Sequence, residues 1–209
     1  MLARLVAMLI AGLARVLTGV LPIWRGCLPE FRQRIYIANH TSHGDFVLIW
    51  TVLPHALRRQ TRPVAALDYW GGGGIRGFIG REVFNAVLFD RKATATGQDA
   101  LAGVLVAVNS GASLIYFPEG TRNTTSDVLL PFKTGLFRLA QARPDIEIVP
   151  VWIDNMARVM PKGEFLPVPL LCSVTFGAPL LLQAGEDKAA FIARARGALL
   201  ALKPEDRDR

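Results

Sequence analysis

The sequence is poor in cysteine and in acidic residues. Its 209 residues include only Cys27 and Cys172, and no Cys-x-x-Cys spacing is present. This excludes a disulfide-rich scaffold and favours two buried free thiols. Asp and Glu number 17 against 24 Lys and Arg, which gives a formal charge of +7. A cationic surplus indicates an anionic partner, which can be a nucleic acid, an anionic lipid or an acidic carrier protein.

Two common signatures of enzymes are missing or carry little weight. No Gly-x-Ser-x-Gly elbow occurs, which disfavours a serine esterase. The segment Gly72 to Gly77 matches the three-glycine dinucleotide pattern, but a run of four glycines matches it easily, so we expect a flexible loop near the active cleft instead. The cationic residues are not interleaved with aromatic residues in one patch, which argues against nucleic-acid binding.

The N-terminal segment is the most apolar part of the chain, yet it has no uninterrupted run long enough to cross a membrane. The uncharged stretch Leu5 to Ala14 falls short of the roughly 20 residues required. At 100° per residue, Arg4 and Arg15 lie on nearly the same side of a helix. The pattern predicts that residues 1–26 form a membrane-interface helix with its arginines turned to lipid headgroups. A packed core helix and a secretory signal peptide are the alternatives.

Beyond residue 26, short apolar runs alternate with helix-compatible stretches. The predicted strands are rich in Val, Ile, Phe and Tyr, and they are Arg34–Ala38, Pro63–Leu67, Ala86–Phe89, Ser113–Phe117, Glu147–Trp152 and Cys172–Phe176. The predicted helices are Asp45–Leu53, Gln98–Val108, Phe132–Arg143 and Asp187–Leu202. This alternation predicts one α/β domain over residues 27–209, with a mixed, largely parallel sheet flanked by helices.

A histidine and an aspartate lie between the first predicted strand and the first predicted helix of this domain. His40 follows the carboxyl end of the strand, where α/β folds usually place their ligands. A turn through Gly44 can bring Asp45 back to one nitrogen of His40, fix the tautomer and stabilise an imidazolium. The residues alone also allow a hydrogen-bonded core histidine with a helix-starting aspartate. A metal site that combines His40, His43 and Asp45 is a third interpretation.

The segment Phe117 to Arg122 follows another apolar strand and has the residue types of a phosphate-binding loop. Gly120 lets the backbone approach a ligand closely, and Thr121 offers a hydroxyl. Arg122 can hold a phosphate through two parallel hydrogen bonds. Glu119 can orient one of the arginines.

Two further cations follow a strand or a short turn. Arg91 comes after the predicted strand Ala86–Phe89, and Lys133 lies in a Pro-Phe-Lys-Thr-Gly turn. A single residue of this kind is more often a solvated surface charge. Three cationic loops in one α/β domain, however, indicate a common site for an anionic group.

Four segments resemble, in order, the four motifs of the glycerolipid acyltransferase family, and in particular its lysophosphatidate acyltransferase branch. They are Asn39–Asp45, Val87–Arg91, Phe117–Arg122 and Val149–Val151. The first and third are specific, because they contain the His-x4-Asp pair and the full Phe-Pro-Glu-Gly-Thr-Arg sequence. The second departs from the family pattern, since Asn85 stands where a glycine is usual.

The resemblance implies a mechanism and a set of roles. His40 deprotonates the acceptor hydroxyl, which attacks the thioester of acyl-CoA or acyl-carrier protein, and Asp45 orients His40. Arg91 and the loop from Glu119 to Arg122 hold the acceptor phosphate, and Lys133 is a further candidate for this role. No metal or organic cofactor is implied. The expected location is the cytoplasmic face of the cell inner membrane, with membrane lipids and the acyl donor as partners and no nucleic acid.

Other functions stay open at the level of the sequence. Another lysolipid, such as lyso-ornithine lipid, can replace lysophosphatidate as the acceptor, because Asn85 and a single N-terminal helix depart from some relatives. A hydrolase of lipid esters would use the same histidine and aspartate to activate water. A lipid-binding protein without catalytic activity is the third alternative.

Overall fold

The computed structural model describes residues 1–90, 101–159 and 171–205. Within these ranges the strands are β1 Leu21–Trp24, β2 Arg34–Ala38, β3 Thr61–Ala66, β4 Val87–Phe89, β5 Ser113–Tyr116, β6 Glu147–Asp154 and β7 Ser173–Phe176. The helices are α1 Leu2–Thr18, α2 Asp45–Val52, α3 His55–Gln60, α4 Leu67–Trp70, α5 Gly74–Phe78, α6 Ala102–Asn109, α7 Gly135–Ala142, α8 Met156–Val159 and α9 Lys188–Leu200. A π-helical turn, π1, covers Ile79–Val83.

The strands form one twisted layer in the order β1-β7-β6-β2-β5-β3-β4. Only the β6–β7 pair is antiparallel among the described strands, and the other neighbours are parallel. Helices cover both faces, as a parallel sheet requires for burial. The prediction of an α/β fold with a mixed, largely parallel sheet flanked by helices is confirmed.

Strand β2 shows how the two cores are built. Ile35 and Ile37 pack with residues of α6, α7 and α9 on one face of the sheet. Tyr36 and Ala38 alternate with them and pack with α1, α2 and π1 on the other face. Since β2 is apolar on both faces, it lies in the middle of the sheet, and its carboxyl end falls between those of β5 and β6.

Several helices and strands begin at other residues than the sequence predicted, and some elements were not predicted. Strand β3 begins at Thr61 rather than Pro63, and α7 begins at Gly135 rather than Phe132. Helix α3 and strand β1 were missed. The glycine run was expected to be a flexible loop, but α5 begins at Gly74 and continues directly into π1. The start predicted for α6, at Gln98, lies outside the described residues.

The N-terminal segment is joined to the sheet. Helix α1 ends at Gly19, whose φ of 49° is left-handed and whose N–H donates to the Arg15 carbonyl. The chain then enters β1, in which Leu21 pairs in parallel with Ser173 of β7. The division at residue 26 stays a prediction. In the described part of the chain, no helix is both long enough and apolar enough to span a bilayer.

The two cysteines are free thiols, as expected. Cys172 is buried and Cys27 is partly buried. Burial raises the pKa of the Cys172 thiol to about 11, so this group stays protonated at neutral pH.

Phe176 is the side chain on which the docking of β1 depends most clearly. It is fully buried, it stacks on Trp24 with ring centroids 4.0 Å apart, and it meets Tyr36 edge to face. Phe176→Ala should lower the free energy of unfolding by about 3–5 kcal/mol, because it leaves a cavity between the Trp24 and Tyr36 rings. Urea denaturation measures this difference.

Phe31→Ala provides the matched control, since Phe31 is 71% exposed. It should change stability by less than about 0.5 kcal/mol. Similar losses for the two variants would show that Phe176 is not a core residue.

Candidate active site

His40 and Asp45 meet at the carboxyl end of β2. Asp45 is the first residue of α2, it is fully buried, and its Oδ2 lies 2.9 Å from His40 Nδ1. The same oxygen accepts hydrogen bonds from the N–H groups of Thr41, at 2.6 Å, and Ser42, at 2.9 Å. The chain between the two residues therefore wraps around one carboxylate oxygen. The structure brings the predicted pair together.

This arrangement fixes the chemistry of the imidazole. An ionised carboxylate only accepts hydrogen bonds, so His40 Nδ1 carries the hydrogen and Nε2 keeps its lone pair. The ring also stacks on Phe117, with centroids 4.1 Å apart and an interplanar angle of 19°. Its side chain is 17% exposed. His40 therefore presents one basic nitrogen in a fixed orientation.

The loop after β5 holds the backbone of His40 from both sides. Glu119 Oε1 accepts the His40 N–H at 2.8 Å, and the Asn123 N–H donates to the His40 carbonyl at 2.6 Å. The other oxygen of Glu119 accepts the Leu130 N–H at 2.8 Å. Glu119 was predicted to bind substrate, but it is 1% exposed and both oxygens bind backbone groups. The structure places it as a positioning residue.

A cavity of about 340 Å3 opens beside His40. Gly120, Thr121 and Arg122 line it together with His40, so the imidazole and a guanidinium share one space. Its apolar walls come from α2, β3, β5 and α6, and they include Phe46, Val64, Ala65, Ala66, Leu101, Val104 and Phe117. Asp68 also lines the cavity and adds a carboxylate. A cavity that combines a guanidinium with apolar walls can hold a ligand that has a phosphate and a hydrocarbon chain.

Lys133 lies next to the predicted phosphate loop. Gly120 has a φ of 71°, and a Cβ built there would lie only 3.2 Å from Lys133 Cγ, so the lysine stem passes close over the glycine. The Lys133 N–H donates to the Pro118 carbonyl at 2.7 Å, which ties its turn to the loop. The third cationic candidate, Arg91, lies outside the described residues.

Sequence reasoning did not assign Tyr69 and Arg76 to the site. The Tyr69 ring stacks on His43 with centroids 4.3 Å apart, and the Arg76 guanidinium lies 5.1 Å from the Tyr69 ring centroid. Tyr69 and His43 line the cavity. The only sequence signal was an aromatic pair, Tyr69-Trp70, between a strand and a glycine run, which fits a core position equally well.

His43 contributes a ring rather than a charge to the cavity. Burial lowers the pKa of His43, and the nearby positive charge of Arg122 lowers it further. The ring is therefore neutral at pH 7. Within residues 1–90, 101–159 and 171–205, no group of three or more His, Cys, Asp or Glu side chains is placed to hold a metal ion.

Residues 27–154 match the model of a protein family described as acyltransferase. The chain belongs to this family. The resemblance based on the four motifs is thereby confirmed.

Curated acyltransferases of this family are similar to the chain over part of their length. A chloroplastic 1-acyl-sn-glycerol-3-phosphate acyltransferase of Brassica napus is 38% identical over 132 residues, which cover 62% of this chain and 35% of the relative. The 1-acyl-sn-glycerol-3-phosphate acyltransferase of Haemophilus influenzae is 29% identical over 124 residues, which cover 58% of this chain and 48% of that protein. The chain therefore spans half or less of the length of these two relatives.

A solved acyltransferase structure has the same fold. The crystal structure of the 1-acyl-sn-glycerophosphate acyltransferase PlsC from Thermotoga maritima superimposes with a TM-score of 0.70 and 18% sequence identity. The match covers 98% of this chain and 83% of that structure. At this identity the likeness concerns the fold, and it supports the sheet topology described above.

The buried carboxyl group of Glu119 predicts a pH dependence of stability. Burial raises the pKa of Glu119 above its usual value of 4.5, although its backbone hydrogen bonds oppose this shift. The folded protein then holds the proton more tightly than the unfolded chain. The resulting stability is fully present below the unfolded pKa and is lost as pH rises through the folded pKa.

Glu119→Gln removes this titration. We expect the native chain to gain stability relative to this variant when the pH falls from about 8 to about 5, as measured by urea denaturation. Glu205→Gln, at an exposed position, is the control. A difference between native and Glu119→Gln that does not vary with pH would contradict the assigned burial.

Proposed function

We propose that the chain transfers a fatty acyl group from acyl-CoA or acyl-carrier protein to the free hydroxyl of 1-acyl-sn-glycerol-3-phosphate, in phospholipid biosynthesis. The observation that carries the proposal is that His40, oriented by Asp45, and Arg122 line one cavity. The names of the relatives support the choice of acceptor. One fold can host different functions, so the site itself must agree with the assignment.

The cavity fits both ends of this acceptor. The phosphate monoester would bind the Arg122 guanidinium and the Thr121 hydroxyl, which both line the cavity. The acyl chain would lie against the apolar walls formed by β3 and α6, which include Val64 and Val104. In this proposal Lys133 and Arg91 add positive charge around the phosphate. Because the His43 ring is neutral, it adds no positive charge around the phosphate.

The proposed reaction is a direct acyl transfer. His40 Nε2 takes the proton of the acceptor hydroxyl as its oxygen attacks the thioester carbonyl carbon. The carbon–sulfur bond then breaks, and the imidazolium returns the proton to the leaving thiolate. The Asp45 carboxylate, 2.9 Å from Nδ1, stabilises the imidazolium between these steps. The mechanism draws on no metal ion and no organic cofactor.

The membrane is the proposed location of this reaction. Helix α1 exposes an apolar stripe that consists of Leu2, Leu5, Leu9, Leu13 and Val16, which are between 47% and 81% exposed. At 100° per residue these side chains fall within about 80° of arc on one side of the helix. We propose that the stripe lies in the lipid interface at the cytoplasmic face of the inner membrane. The described core leaves this side of α1 uncovered.

His40→Ala tests the catalytic role. General-base catalysis contributes roughly 100- to 10,000-fold, so the rate of acyl transfer from acyl-CoA to lysophosphatidate should fall by that factor. Product formation is measured as phosphatidate, and circular dichroism verifies the fold. Unchanged transfer would refute the assignment. Release of free fatty acid as the main product of the native chain would favour a hydrolase instead.

Arg122→Ala tests the phosphate role. A charge-assisted hydrogen bond contributes about 1.5–3 kcal/mol, so the KM for lysophosphatidate should rise roughly 10- to 150-fold. The KM for the acyl donor should change little, and Arg122→Lys should restore part of the affinity. Arg25→Ala, at an exposed position outside the cavity, is the matched control. An equal rise of both KM values would contradict this role for Arg122.

A further inference from the structure

A second cavity lies at the amino end of β3, whereas His40 lies at the carboxyl end of β2. It has a volume of about 380 Å3 and is bounded by α1, α2, α3, π1 and the first residues of β3. Thr61 and Arg62, at the amino end of β3, line it, whereas Val64 to Ala66, at the carboxyl end of the same strand, line the active-site cavity. The two cavities are therefore separate.

The second cavity has an excess of positive charge. Four arginines line it, against a single carboxylate from Glu82, and they are Arg4, Arg58, Arg59 and Arg62. His55 lies beside them. Arg62 donates its Nε hydrogen to the Asn85 carbonyl at 2.7 Å, which fixes this guanidinium at the wall. Cations gathered in a concave apolar surrounding attract an anion more strongly than the same cations spread over a flat surface.

Arg58 is held rigidly and retains an unused donor. One terminal nitrogen donates to the carbonyls of Thr51, at 2.7 Å, and Leu53, at 3.0 Å. The guanidinium also lies 4.9 Å from the ring centroid of Trp50. Its buried Nε has no hydrogen-bond partner among the described residues. Arg58 therefore contributes a preorganised positive charge to the wall of the cavity.

The rest of the cavity is apolar and leads to the exposed stripe of α1. Trp50 and Phe84 are buried side chains of its wall. Met8 lines the cavity, is 61% exposed, and lies about 60° around α1 from Leu5 of the stripe. A ligand could therefore place an anionic group among the arginines and a hydrocarbon chain along α1. This combination describes an anionic amphiphile.

We infer that the second cavity binds the phosphate headgroup of an anionic membrane phospholipid, with the acyl chains directed along Met8 and the apolar stripe of α1. The bound lipid is distinct from the acceptor in the active site. It anchors α1 at the headgroup level through the exposed arginines Arg4 and Arg59. The inference rests on the proposed membrane contact of α1, but its test requires neither a membrane nor turnover.

The test uses a soluble probe, dihexanoyl phosphatidylglycerol below its critical micelle concentration, and isothermal titration calorimetry. The protein carries Arg122→Ala, so that phosphate binding in the active site is weakened. Saturable binding of one lipid per chain is expected. Adding Arg4→Ala and Arg59→Ala together should weaken this binding about thirtyfold, since each arginine near a lipid headgroup contributes about fivefold.

Arg25→Ala combined with Lys188→Ala is the matched control, because it removes the same charge at exposed positions outside the cavity. Its affinity for the probe should stay within about twofold of the parent. Equal weakening in both double variants would show that the probe is attracted by the overall positive charge, and it would contradict a specific binding site. A single Arg59→Glu variant gives a second measurement, and it should weaken binding at least as much as Arg59→Ala.

Inorganic phosphate separates the two sources of the anionic group. If it binds as tightly as the lipid probe, with the same dependence on Arg4 and Arg59, the ligand is free phosphate and the lipid assignment is wrong. If neither probe binds, the inference fails as a whole. The acyl-transfer assay on the native chain decides the proposed function separately, so the two failures are distinguishable.

Discussion

The Asp45 carboxylate accepts three hydrogen bonds on one oxygen, from the His40 ring and from the N–H groups of Thr41 and Ser42. A fully buried charge is expensive unless such donors compensate it, and the start of α2 adds the favourable end of a helix dipole. The position of the carboxylate that orients the His40 imidazole therefore follows from backbone groups within five residues. Any change that neutralises or moves this carboxylate disturbs the turn and the imidazole together.

The loop from Glu119 to Arg122 depends on the same turn. Glu119 and Asn123 bind the N–H and the carbonyl of His40, so the loop that presents Arg122 and the turn that presents His40 form one unit. Their strands, β2 and β5, are parallel neighbours, whose spacing in a sheet is about 4.8 Å. The pairing of these two strands therefore fixes the relative position of the loops that carry His40 and Arg122.

The parts of the site that the sequence predicted are local. His40 and Asp45 are five residues apart, and a strand, a turn and a helix start are readable from hydrophobic pattern and residue type. The role of Glu119 depends on a backbone group 79 residues away, and no local pattern indicates such a partner. The Tyr69 stack on His43 joins two residues of different elements, and no local pattern indicates such a contact either.

Strand β1 was missed for a related reason. Leu21 to Trp24 is a four-residue strand that contains Pro22, and a proline normally argues against a strand unless the strand lies at an edge. Strand β1 is at the edge of the sheet, and its partner β7 lies near the other end of the chain. Only the tertiary pairing makes this segment a strand. The apolar N-terminal segment thus contains two different elements: a helix with an exposed apolar stripe, and a short strand that pairs with β7.

Helix α1 and the His40–Asp45 pair are connected through α2. Arg15 of α1 donates to the Thr51 carbonyl at 2.8 Å, near the end of α2, and Asp45 begins that helix. Eight residues of α-helix span about 12 Å. A lipid surface in contact with the stripe of α1 would therefore hold Asp45 and His40 at a nearly fixed height above it. An acceptor with one acyl chain could then reach the base without leaving the vicinity of the bilayer, which a flexible tether would not ensure.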